Sequence, residues 1–114
     1  MKVFVHGNPE TAAIWGPLGA ELHSHGVRDM LFLSPPGFGA PTPHGWTATQ
    51  DDYVTWLIDQ VERIGAPVDV VGHDWGAGHV YGAIVRRSEL FSSWAADCGG
   101  LLHADYAWHE AAQA

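Results

Sequence analysis

One bend constrains this chain more than any other feature. Asp74 stands at the centre of Gly72-His73-Asp74-Trp75-Gly76, directly after the apolar run Val68-Asp69-Val70-Val71. A small residue two positions either side of a reactive side chain, after a buried strand, is the sequence form of a nucleophile elbow. The chain must turn sharply from strand to helix, and the turn pushes the central side chain out at the carboxyl end of a sheet. Glycine is needed at both flanks because a β-carbon there would collide with neighbouring backbone. The plainer alternative, in which Asp74 only caps the helix that follows, does not account for the paired glycines or the preceding strand.

The remaining pattern supplies the elements such a bend requires. Val3 to Val5, Met30 to Leu33 and Val68 to Val71 are short apolar runs closed by glycine or proline, and Ser93 to Asp97 is a fourth strand. Between the first two, Ile14, Leu18 and Leu22 have helical spacing, with Gly16-Pro17 placing the regular helix after a looser start. Residues 34 to 47 are rich in proline and glycine and form a loop. Thr49 with Asp52 three residues on is a helix-start signal. Val54, Leu57, Ile58 and Val61 then mark one helical face, and Gly65-Ala66-Pro67 ends it. Gly76 to Arg87 is the third helix, and residues 101 to 114 have weak helical character. Strands that are continuous apolar runs, alternating with helices, predict an α/β three-layer sandwich. Its parallel sheet of about four strands has helices covering both faces.

Size and charge set the limits. At 114 residues the chain forms one domain at most. A net charge of −8 without a Lys/Arg cluster speaks against nucleic acid and anionic membrane as partners. Cys98 is the single cysteine, so no intrachain disulfide can form, which suits a reducing, cytoplasmic setting. The apolar part of the N-terminus is too short for a signal peptide, and no stretch approaches a membrane span.

Two motifs and their spacing carry a family resemblance. His6-Gly7-Asn8-Pro9 after the first strand resembles the oxyanion-hole loop of α/β-hydrolases, and Gly72-His73-Asp74-Trp75-Gly76 resembles their elbow. Pro35-Pro36-Gly37-Phe38-Gly39 is similar to the Pro-Gly loop between them. An aspartate where esterases and lipases carry serine, followed by Trp75 and preceded in the first loop by Asn8, is most similar to the haloalkane dehalogenases. Epoxide hydrolases share the Asp-Trp elbow but usually carry an aromatic residue in place of Asn8. The resemblance implies a partial hydrolase core over 1–100, with 101–114 starting a helical cap or a C-terminal tail. It places the family's catalytic histidine, and most of the cap, in sequence beyond Ala114.

The residues suit that chemistry. A carboxylate is ionised at neutral pH and needs no base to become a nucleophile. Asp74 would attack a saturated carbon and expel halide, which leaves unprotonated and asks only for hydrogen-bond donors. The Trp75 indole N–H and the Asn8 side-chain amide are such donors, and the backbone amides of Asn8 and Trp75 would form the oxyanion hole for the second step, hydrolysis of the alkyl ester. That step needs a histidine and an orienting acid. One subgroup of the family carries its acid just after the fourth strand; ungapped counting lands on Cys98, so Asp97 becomes the candidate acid if a one-residue shift is allowed. The expected partner is a small apolar haloalkane or epoxide, and a chain without the histidine is expected to be alkylated without turning over.

Other readings stay beside this one. His6 and His73 flank the motifs as structural hydrogen-bonding residues rather than bases, with His73 pointing away from Asp74. His23 with His25, and His103 with Asp105, His109 and Glu110, are the candidate metal clusters, but neither has an established zinc spacing, so no metal is expected. The glycines at 72, 76 and 78 lack the dinucleotide fingerprint, and no cofactor is expected. Trp94, Tyr106 and Trp108 are read as core or cap-contact residues, with Trp108 facing substrate if the last segment begins the cap. From another class comes a non-catalytic remnant that self-associates as a homo-oligomer through an uncovered sheet edge.

Overall fold

A computed structural model describes residues 1–100 and 104–113 of the chain. Four parallel strands form one sheet: β1 (Lys2–Val5), β2 (Met30–Leu33), β3 (Val68–His73) and β4 (Phe91–Asp97). Their order across the sheet is β2-β1-β3-β4. The helices are α1 (Gly16–Ser24), α2 (Gln50–Glu62), α3 (Trp75–Arg86) and the single turn α4 (Glu110–Gln113). A 3-10 turn, Ala12–Trp15, leads into α1, and Pro17 stands in its first turn, where a missing N–H costs nothing. Among the described residues no helix is long and apolar enough to cross a membrane.

The sheet register sorts the side chains into two faces. Val3 pairs with Leu31 and Val70, and Val5 with Leu33 and Gly72. This face packs on α2 and α3 and forms the main core of Val3, Val5, Val54, Leu57, Val61, Val68, Val70 and Val80. The helical spacing of Val54, Leu57, Ile58 and Val61 therefore marks the buried side of α2, as the sequence predicts. Its start is fixed by a reciprocal cap: the Thr49 hydroxyl accepts the Asp52 amide at 3.1 Å, and the Asp52 carboxylate accepts the Thr49 amide at 3.1 Å. The opposite face is aromatic. Phe4 stacks on Phe32 at 5.1 Å and meets Trp15 at 5.3 Å, so the 3-10 turn and α1 supply the third layer.

Helices lie on both faces of the parallel sheet, as expected. One detail needs correction: β4 begins two residues earlier than expected, at Phe91, and most of its residues are exposed. As an edge strand it meets one neighbour, β3, and α3 reaches only part of it. For the same reason Trp94 is not a core residue. It is 55% exposed and touches only the edge of Tyr81 among aromatic partners, at 5.8 Å. Tyr106 and Trp108 are exposed and pair edge-on with each other at 5.3 Å.

Leu57 is completely enclosed by both helices and the sheet. Leu57→Ala is expected to lower unfolding stability by about 2–5 kcal/mol. The check is urea unfolding with a lowered midpoint and an unchanged slope.

Candidate active site

The bend after β3 is built from close backbone approaches. Asp74 has φ 54° and ψ −123°, a region that non-glycine residues enter only when their surroundings over-determine it. Its amide donates to the Asp97 carbonyl at 3.1 Å, and its own carbonyl accepts the Ala77 amide at 3.0 Å. A β-carbon on Gly72 would lie 2.7 Å from the Gly76 carbonyl oxygen and 2.8 Å from Ala77 Cα. One on Gly76 would run into the carbonyl oxygens of Val5 and His6. Both glycines are thus needed for the reason inferred from sequence: the first turn of α3 lies directly on the ends of β1 and β3.

The carboxylate of Asp74 does not cap α3, although the residue occupies the N-cap position. Its Oδ2 accepts the backbone amide of Asn8 at 3.0 Å. Gly7 lies so close that an added β-carbon would overlap Asp74 Oδ2 and stand 2.8 Å from its Cγ. The loop after β1 and the bend after β3 therefore meet at this carboxylate. Asp74 and Trp75 share the wall of a cavity of about 690 Å³, with Gln50, Tyr81, Cys98 and Trp108 among the other lining residues. Trp75 is 53% exposed, so its indole stands in the open cavity. Asn8 joins Asp74 through its backbone; its side-chain oxygen is shielded, unpaired and outside that lining. Trp108 does face the cavity.

Behind the bend, on the aromatic face of the sheet, lies a polar group that sequence reading only partly anticipates. His73 Nδ1 is 2.8 Å from Asp97 Oδ1, and its Nε2 is 3.2 Å from Glu10 Oε1. Glu10 Oε2 accepts the Gly7 amide at 3.0 Å. The hydrogen bond to Asp97 raises the His73 pKa, burial opposes it, and the charge of Asp97 and then Glu10 adds to the rise. Cys98 stands next to Asp97 and within 4.8 Å of the His73–Asp97 donor atoms. With both ring nitrogens of His73 already against carboxylates, this is a hydrogen-bonded group rather than a set of free ligands. Of the clusters weighed from sequence, His103 lies outside the described residues.

Two further residues escape the sequence reading. Glu10 is a lone acid in a loop, and its partner His73 follows 63 positions later. His79, on α3, is 2% exposed and stacks on Tyr53 at 4.6 Å with a 9° interplanar angle. Neither of its ring nitrogens has a hydrogen-bond partner. Burial pushes its pKa down to about 4, against the pull of Asp74, so it is neutral at pH 7. His6 is fully enclosed between the Gly7 carbonyl and the Ser34 hydroxyl and is structural, as expected.

Comparison with known proteins now bears on this geometry. A model described as the alpha/beta hydrolase family matches residues 3–114. An extracellular alpha/beta-hydrolase from a Paenibacillus species superposes with a TM-score of 0.72 at 16% identity over 90% of this chain. Naproxen esterase from Bacillus subtilis gives 0.66 at 22% identity over 82%. A marine microorganism esterase gives 0.67 at 14% over 83%. The chain spans 41%, 33% and 36% of those proteins respectively. Likeness at such identities speaks for the fold alone. No curated protein matches the chain.

The glycine contacts make a paired prediction. Gly76→Ala drives a methyl group into backbone carbonyls and is expected to cost at least about 1–3 kcal/mol in urea unfolding. Gly78→Ala, two residues along the same helix, meets only the Gln50 side-chain nitrogen at 3.5 Å among the described residues. It is expected to stabilise by up to about 1 kcal/mol through helix propensity.

Proposed function

The chain belongs to the alpha/beta hydrolase family, and we propose that it carries the aspartate-nucleophile form of that chemistry, acting on a small apolar substrate in the manner of a haloalkane dehalogenase. The observation that supports this most is the carboxylate of Asp74. It stands at a strained strand-to-helix bend, uninvolved in capping and held, among the described residues, by the backbone amide of Asn8 beside an open cavity. The bend has the form of a nucleophile elbow.

In this reading a carboxylate oxygen of Asp74 attacks the halogen-bearing carbon. A C–O bond forms, the carbon–halogen bond breaks, and halide leaves with the electron pair. The N-terminus of α3 favours the anionic nucleophile. The Trp75 indole N–H, in the cavity with Asp74, is the donor best placed to receive the halide, and the Asn8 side-chain amide is the second donor we assign. In the following ester hydrolysis the Asn8 amide that now holds Asp74 Oδ2, together with the Trp75 amide, would stabilise the oxyanion.

Neither His73, beside Asp74, nor His79, on α3, is free to activate water. His73 is engaged by Glu10 and Asp97, and His79 is enclosed. Asp97 would orient an incoming histidine only by exchanging its 2.8 Å contact with His73. The segment 101–114 would begin a cap, which Trp108 in the cavity wall supports. We therefore propose that these residues alone form the alkyl ester without hydrolysing it. A reducing, cytoplasmic setting belongs to the same proposal and rests on the lone cysteine.

Two observations support other readings. Tyr81 lines the cavity with Asp74, which suits an epoxide hydrolase that needs a phenol to protonate the opened ring. The exposed edge strand β4 with Trp94 suits a non-catalytic chain that pairs with a second copy; a mass that grows with concentration in light scattering would support that.

Incubation with 1-bromobutane followed by intact mass measurement tests the main proposal. The expected result is one butyl adduct, placed on Asp74 rather than Cys98 by peptide mapping, and lost in Asp74→Asn. Preferential reaction with styrene oxide would move the reading to the epoxide class. Steady multiple turnover would overturn the single-turnover assignment, and no adduct on Asp74 with either reagent would overturn the nucleophile.

A further inference from the structure

Three strand ends meet behind Asp74, and one imidazole joins them. From the geometry we infer that His73, as a doubly protonated ring held between Glu10 and Asp97, is a positioning residue that holds the loop after β1 through Glu10 and the Gly7 amide, so that the Asn8 amide meets Asp74. The inference rests on the reading of Asp74 as nucleophile and adds to it a part of the machinery on the far face of the sheet.

The hydrogen bonds form a continuous chain. Asp97, at the end of β4, contacts His73 Nδ1 at 2.8 Å; His73 Nε2 contacts Glu10 at 3.2 Å; the other Glu10 oxygen accepts the Gly7 amide at 3.0 Å. The next amide in the chain, that of Asn8, donates to Asp74 Oδ2 at 3.0 Å. A neutral imidazole has one N–H and can serve one of its two carboxylates. Serving both takes a proton on each nitrogen, and the charge that results suits a site with an acid on either side.

The groups around the ring do not offer another partner. Asp97 faces it from β4 and Glu10 from the loop after β1. The 3-10 turn before α1 contributes the uncharged edge of Trp15, with ring centroids 6.2 Å apart. Cys98 lies beside Asp97, its sulfur 4.0 Å from Oδ2, and Asp74 follows in the chain. His6 is spent on Gly7 and Ser34.

The consequence is a pH-dependent grip. The hydrogen bond to Asp97, and then the charges of Asp97 and Glu10, raise the His73 pKa above its ordinary value, against the effect of burial. Its contribution to folding is complete below the ordinary histidine value of 6.5 and fades as pH rises through the raised folded value. Once the proton leaves, the ring keeps one carboxylate, and the shorter contact is with Asp97. Glu10 is then released, and with it the Gly7 amide next to Asn8. In the displacement step the Asn8 amide acts by holding the Asp74 carboxylate in line with the reacting carbon, so a loosened loop loses rate without losing the nucleophile.

The test uses the 114-residue chain, its Glu10→Gln and His73→Gln variants, and 1-bromobutane. Imidazole ¹H–¹⁵N spectra are expected to show both His73 nitrogens protonated at pH 7, with a midpoint above that of free histidine that falls in Glu10→Gln. The Asn8 amide shift is expected to follow the same midpoint. The alkylation rate of Asp74 should decline across it in the wild type. In His73→Gln it should be about tenfold slower and flat with pH, a smaller loss than the roughly 100-fold that a 1 Å misplacement can cost. If His73→Gln does not fold, Glu10→Gln carries the same comparison. A singly protonated His73 at pH 7, or an Asn8 amide blind to its titration, overturns the positioning role. Alkylation that is flat with pH in the wild type overturns it too, and leaves the nucleophile in place. No alkylation at any pH, with the Asn8 amide still following His73, overturns the nucleophile and leaves the grip.

Discussion

The carboxyl end of this sheet depends on how closely the first turn of α3 lies on β1. The contact is backbone against backbone, with Gly76 under the carbonyl oxygens of Val5 and His6, so no side-chain rearrangement can relieve a larger residue there. Once α3 is seated, the chain leaving β3 has a single residue in which to reverse direction. That residue, Asp74, takes the positive φ that the reversal demands. Its amide is tied to β4 and its carboxylate to the loop after β1. Local strain at one position is thus balanced by packing and hydrogen bonds from the neighbouring strands.

Much of this was legible in the sequence, and the reason is that it is local. The capping box of Thr49 and Asp52, the buried stripe of α2 and the paired glycines around Asp74 are each written within a few residues, where period and spacing report directly on geometry. What escaped depends on distant partners. Glu10 carries no local signal, because its meaning comes from His73, 63 residues on. Trp94 reads as apolar and therefore buried, yet its strand lies at an edge, and no pattern within a strand says which neighbour is missing. Asn8 was expected to act through both its side-chain amide and its backbone N–H; the contact to Asp74 comes from the backbone, which every residue type but proline could provide.

His73 also shows how one motif serves two faces. In an extended strand successive side chains point to opposite sides. The strand ends at His73, and the bend starts at the next residue, so the pair His73-Asp74 sends its members into different environments. One ring is drawn into an acidic set behind the sheet, and one carboxylate is presented to a cavity on the helical side. Hydrogen bonds to the loop after β1 reconnect them around the edge of the backbone. Glu10 and Asp97 both face His73 there, at this end of an acidic chain.

The strand order has a consequence that precedes any of these side chains. With β1 between β2 and β3, the connection leaving β1 departs toward one edge and the connection leaving β3 toward the other. The reversal between them is a topological switch point, the place where open α/β sheets leave a crevice. The loop after β1 and the bend after β3 meet there, with the Asn8 amide on the Asp74 carboxylate, and Asp74 lines the cavity. A cleft at this location is therefore a property of the winding of the chain, and the choice of residues on its rims decides only what chemistry the cleft performs.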